Sequence, residues 1–298
     1  MWLLYALLAA IVFGLRGVLY QWSSKQSMNR NLMLFGVFFT GVILCSIIAW
    51  LTNSQWTNGS LIGIVMGLFS FTASAAMYRG YAVGKASLIA ILTAMPPIVV
   101  ILLAFLLWGE KLSALQSLAF AIILVGILMI RYSSDLSFKQ LKGVGWGLIC
   151  MLFFGLNDTA GKQATNLNSD HSLTLFFMFL TGSACFLILY LFERYRTAGS
   201  SPPASAERAD AAAETRLWSK RKTIAWGMFV GTTNVAGMYM ILQAFDGGVA
   251  GLVSAVVALN VLIVLFYSRF FLKEKFKPLE IAGMTFAVCG ILFLRLFS

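Results

Sequence analysis

Asp158, within the stretch FGLNDTAGK, is the one acidic residue that stands well inside an apolar run of the sequence. It lies roughly 15 residues, or ~22 Å of helical rise, into that run. Charged groups at such depth in a membrane are costly and usually functional. A carboxylate there can load a proton or grip a cationic substrate group. The plain alternative is a permanent pairing with Lys162, four residues on and on the same helical face. Arg16 sits at a similar depth in the first apolar run. Its planar guanidinium suits a substrate carboxylate, held through two parallel hydrogen bonds. Snorkelling toward headgroups is the competing account.

Uncharged polar residues at the same depth come next. Asn157, Asn234 and Gln243 offer donors and acceptors, although interhelical hydrogen bonding explains such residues without a ligand. Asn260 falls in the middle of the ninth run, and Pro96-Pro97 interrupts the fourth. Proline removes backbone hydrogen bonds, so that run should kink or break, as helices do beside a cavity. Tyr78, Tyr81, Trp146, Trp226 and Tyr239 could form a stacking wall for an organic solute. Trp146 and Trp226 fit interfacial anchors better, while Tyr239 lies deeper and stays a cavity candidate. His171 reads as a solvated helix end. Arg16, Asn157, Asp158, Tyr239 and Asn260 are thus the expected substrate-binding set; no catalytic residue or metal ligand is expected.

What must position these residues is a bundle of membrane helices. Sixty per cent of the 298 residues are hydrophobic and 11 per cent charged, with a mean hydropathy of +0.86. Soluble domains carry roughly 25 per cent charged residues, so this composition belongs to a membrane protein. The net charge of +11 lies between apolar runs, where anionic headgroups rather than nucleic acid are the natural partner. The first run lacks a basic leader and a small-residue cleavage site, and reads as a retained helix. Cys45, Cys150, Cys185 and Cys289 stand singly within apolar runs and read as small core residues. No phosphate-binding loop, His-rich cluster or nucleophile elbow is present in the sequence, so an enzyme is not expected and no cofactor is implied.

Ten runs are long enough to span: about 2–22, 31–52, 61–82, 86–108, 114–131, 143–164, 172–192, 223–244, 248–272 and 278–297. The segment 193–222, rich in Pro, Ser, Ala and mixed charge, reads as a flexible linker. VGILMIR at 125–131 returns as CGILFLR at 289–295, an offset of 164 that also carries Glu110-Lys111 onto Glu274-Lys275. Phe13-Gly14-Leu15 returns as Phe154-Gly155-Leu156 at an offset of 141. An insertion at the linker accounts for the change, and the chain divides into repeats at 1–138 and 139–298, five runs in each. Because five is odd, the repeats must be inverted in the membrane, a plan that recurs in secondary transporters with a central site. Opposite chain directions put Arg16 and Asp158 ~13 Å apart along the membrane normal, leaving room for a ligand between them. Gly36, Gly41, Gly63, Gly67, Gly126 and Gly290 should allow close helix packing. Glu110 and Glu274 should cap the helix that follows each.

The segment 82–130, with its Pro96-Pro97, Gly109-Glu110-Lys111-Leu112 and Gly126, resembles the repeat of the EamA family of the drug/metabolite transporter superfamily. The second copy keeps Glu274, Lys275 and Gly290 but places Asn260 opposite Pro96 and Lys273 opposite Gly109. The resemblance implies an all-α integral membrane transporter of ten helices. It further implies alternating access at the plasma membrane, a small organic metabolite such as an amino acid or a toxic cation as substrate, and export. Helices 1, 3, 4, 6, 8 and 9 should line the cavity. Partners would be the solute, the bilayer and either a proton or an exchange substrate, with a homodimer left open and no nucleic acid. Family members are drawn with both termini cytoplasmic. Lys and Arg lie overwhelmingly at the odd-numbered connections, which puts the termini outside. A lipid-linked sugar flippase and a non-transporting receptor or assembly subunit are the alternatives. A lateral opening between helices would mark the first, and a sealed, dry interior the second.

Overall fold

The computed structural model describes residues 1–24, 26–83, 89, 92–132, 143–199, 218–271 and 277–296. In the first half the helices are α1 (Trp2–Ser24), α2 (Arg30–Leu51), α3 (Ile62–Val83), α4 (Pro96–Trp108) and α5 (Ala114–Tyr132). The second half contributes α6 (Val144–Asn166), α7 (His171–Gly199), α8 (Lys220–Gly247), α9 (Ala250–Val257), α10 (Asn260–Phe271) and α11 (Pro278–Leu296). Among the described residues, seven segments are long and apolar enough to cross a membrane, and Pro96–Trp108 and Ala114–Ile130 are shorter apolar helices.

Local chemistry sets the ends. Asn29 accepts from the Leu32 amide to cap α2 at 2.9 Å, and Asp170 accepts from Ser172 and Leu173 to cap α7 at 2.8 and 3.1 Å. Ser113 and Gln116 form a reciprocal capping pair at the start of α5. The helix after Glu110 is therefore capped by Ser113, and Glu110 turns elsewhere. Glu274 lies outside the described residues. The expected linker is shorter than the sequence suggested, because residues 193–199 continue α7 and 220–222 begin α8. Trp218, just before α8, donates its amide to the Ser27 carbonyl at 2.8 Å and packs against Trp22 and Trp226. That contact holds the chain to the α1–α2 turn. Cys45 and Cys150 are buried as expected, whereas Cys289 is on the outer surface.

The fourth and ninth runs each break. Pro96 occupies the first turn of α4, where its missing N–H costs nothing. The ninth run divides at Ala258–Leu259 without any proline, and Asn260 starts α10 instead of standing mid-helix. The two breaks fall at repeat-equivalent places.

Packing follows the repeat as well. Helix α1 packs on α8 and α10, and α6 packs on the equivalent α3 and α4. Gly14 lies so close to Ile263 that a Cβ would overlap it, and Gly155 stands in the same relation to Val99. These two contacts are each other's counterparts under the offsets 141 and 164. Repeat-equivalent helices also meet directly, α2 on α7 and α5 on α11. At the second crossing a Cβ on Gly126 would come 2.6 Å from the Ala287 amide nitrogen. Without a hydrophobic drive between helices in lipid, such small-residue contacts carry the association.

Candidate functional site

A cavity of 760 Å³ lies between the two halves. It draws residues from α1, α2, α3, α4, α6, α8, α9 and α10 and from Thr93-Ala94 just before α4. Its walls are built from equivalent positions of the two copies. Phe13 and Phe154 both line it, as do Ser70 and Asn234, Ser74 and Met238, and Pro96 and Asn260. The same holds for Arg16 with Asn157 and for Gly17 with Asp158. The cavity thus sits where the repeats meet, and the substitutions between copies supply its polarity.

Arg16 is held in place by two kinds of contact. Its guanidinium stacks over the Phe13 ring at 4.2 Å, and its Nη1 donates to Asn234 Oδ1. On the facing side, Ser254 Oγ donates to Asp158 Oδ2 at 2.6 Å. Arg16 on α1 and Asp158 on α6 line the same cavity. Asn157 is 4 % exposed, and its Oδ1 has no hydrogen-bond partner among the described residues. A buried carbonyl oxygen left without a donor is costly, by roughly 1–3 kcal/mol, so this atom points to a donor that arrives with a ligand or water. Asn260 completes the lining at the start of α10.

Tyr239 is not among the described residues that line the cavity. Its hydroxyl bonds to Ser172 Oγ at 2.5 Å, and its ring faces His171 at 6.3 Å. Tyr and His171 thus belong to the α7–α8 contact, where His171 Nε2 lies 2.8 Å from Asp246 Oδ2. Tyr78 and Tyr81 have side chains outside the described set. The pairing of Asp158 with Lys162 is also overturned. Lys162 points away, donating to the Phe245 carbonyl at 2.6 Å and the Gly248 carbonyl at 3.0 Å.

Other polar lining residues lie outside the expected binding set. Ser254 replaces Ala90 of the first copy, the same kind of asymmetry that exposed Asn260, so a signal existed. Asn234 replaces Ser70; it offers a donor and acceptor at depth, with helix packing as the plainer account, and it lines the cavity. Arg30, exposed at the first residue of α2, also lines the cavity.

The sequence profile of the EamA-like transporter family matches residues 1–132 and again residues 141–296. The chain belongs to this family. It is accordingly a multi-pass membrane protein of the drug/metabolite transporter superfamily, whose members are transporters rather than enzymes. A solved crystal structure superposes on this EamA protein with a TM-score of 0.72 at 15% identity, covering 100% of this chain and 99% of the other. That likeness bears on the fold. No curated protein matches the chain.

Proposed function

We propose that this EamA protein is a secondary transporter that carries a small organic solute bearing both a carboxylate and an amine or other cationic group. It works by alternating access between two inverted five-helix repeats in the plasma membrane and moves the solute outward. The observation that carries this reading is the bipolar cavity, with Arg16 on α1 and Asp158 on α6 lining one 760 Å³ space. Such a volume suits a metabolite, since ligand pockets run about 300–1,000 Å³. Arg16 binds the carboxylate, oriented by Asn234 and its stacking on Phe13. Asp158 binds the cationic group, or a proton in exchange for it, with Ser254 as its partner. Asn157 Oδ1 accepts from a donor on the solute, and Asn260 bounds the site at the helix break.

Export is supported by the side on which the cavity opens. Arg30 marks a mouth beside the α1–α2 turn, on the face with most basic connections, which the loop charges assign to the cytoplasm. A cavity open there is ready to load from inside.

The test is efflux from proteoliposomes across a panel of amino acids and organic cations with an imposed proton gradient, wild type beside Asp158→Asn. Flux driven by the gradient and lost in the variant supports a proton-coupled carrier. Flux unchanged by the variant removes Asp158 from the mechanism, and no flux for any soluble compound turns the search to lipids.

A further inference from the structure

The cavity has a floor as well as a mouth. Beyond Phe13, Asp158, Ile241 and Ser254 the lining ends, and an apolar plug takes over: Ala6 and Ala9 of α1, Leu242 and Phe245 of α8, and Val253 of α9 are at most 1 % exposed. On the far side of that plug lies a cation that the substrate site does not use. Lys162 is 7 % exposed, and its Nζ donates to the Phe245 and Gly248 carbonyls at 2.6 and 3.0 Å. Glu110 Oε1 stands 3.8 Å from the same nitrogen. The other oxygen of Glu110 accepts from the Ala250 amide, the first of α9, at 3.0 Å. Next to them Trp108 Nε1 donates to Gln163 Oε1 at 2.7 Å.

These contacts fasten three things that must separate if the far end is to open. Glu110 follows the end of α4 in the first half; Lys162 belongs to α6; Phe245, Gly248 and Ala250 lie at the α8–α9 turn. Helix α9 is buried along its whole length and is held by two acids, Glu110 at its N-terminus and Asp158 at mid-helix through Ser254. In the sequence of the first copy the cation is not repeated. The residue that the 141 offset places opposite Lys162 is Gln21, which carries no charge.

We infer that Lys162 and Glu110 form a charge latch that holds the far end of the cavity shut and that must release for the solute to leave there. The inference rests on the alternating-access reading above. A buried cation released from two carbonyls and a carboxylate needs water in their place, so the latch opens together with hydration of the plug. Removing either charge lowers that barrier and shifts the population toward the far-side-open form.

The experiment uses the full-length purified protein and needs no solute. Ala9→Cys in the plug and Ser74→Cys in the mouth-side cavity are labelled with a membrane-impermeant maleimide, and rates at each site are read by mass spectrometry. Glu110→Gln keeps an oxygen for the Ala250 amide while removing the charge, and Lys162→Gln removes the cation. Both should raise labelling at Ala9→Cys at least fivefold. A matching fall at Ser74→Cys supports the latch and alternation together. A rise at Ala9→Cys with no fall at Ser74→Cys upholds the latch and sinks the alternation. Unchanged labelling in a monodisperse Glu110→Gln protein overturns the latch, whatever becomes of the Lys162 variant. A merely structural role would lower the melting temperature without moving either rate.

Discussion

Helices α1 and α6 occupy equivalent places in the two halves, share the sequence Phe-Gly-Leu at one turn, and then diverge in charge. The first brings Arg16-Gly17 to the cavity where the second brings Asn157-Asp158. One turn further on, the first has Gln21 and the second Lys162. The skeleton is conserved between copies because packing demands it: Gly14 and Gly155 must each admit a branched side chain from the opposite half. The polar positions are free of that demand, so each copy could take a different chemical task. A duplicated fold of this kind makes a symmetric frame and an asymmetric site.

The strongest way to break that comparison is to remove the acid. Asp158→Asn should reduce gradient-driven flux by more than tenfold and leave the remaining flux indifferent to the proton gradient, measured in proteoliposomes. If driven flux persists, the two copies do not divide the work as argued. Making α1 like α6 is the next test. Arg16→Asn removes a charged hydrogen-bond partner worth about 1.5–3 kcal/mol, so affinity for carboxylate-bearing solutes should fall roughly 10- to 100-fold. Calorimetric titration should show little change for solutes without a carboxylate.

A packing substitution tests the shared frame instead of the divided site. A Cβ on Gly227 would collide with the Met33 carbonyl at the α2–α8 crossing. Gly227→Leu should therefore destabilise the protein by about 1–3 kcal/mol, seen as a lower melting temperature in detergent. The smallest effect belongs to Tyr239→Phe. Its hydroxyl serves the α7–α8 contact through Ser172, so transport should change less than twofold. A large loss there would place the site partly outside the cavity described.

Much of this was legible from one sequence, and for identifiable reasons. Runs of apolar residues must form helices in lipid because no water is there to satisfy the backbone, so the spans could be read directly. The repeat was visible because both copies preserve the same packing glycines and loop residues. Arg16, Asn157, Asp158 and Asn260 stand out by depth or by departure from the repeat, and all four line the cavity. Tyr239 is as deep but does not line that cavity, because depth along a helix says nothing about which way a side chain faces.

What only the tertiary structure decided were the partners. Spacing of four residues makes Asp158 and Lys162 neighbours on one helical face, and sequence offers no better match for either. The fold provides one: the α8–α9 turn brings two carbonyls and α4 brings Glu110 to Lys162, while α9 brings Ser254 to Asp158. These contacts join residues 52 to 96 positions apart in the chain. Composition, hydropathy and repetition are properties of the chain and determine how many helices form and which residues lie deep. Which charge meets which depends on how those helices cross, and that is set by side-chain packing across the whole bundle.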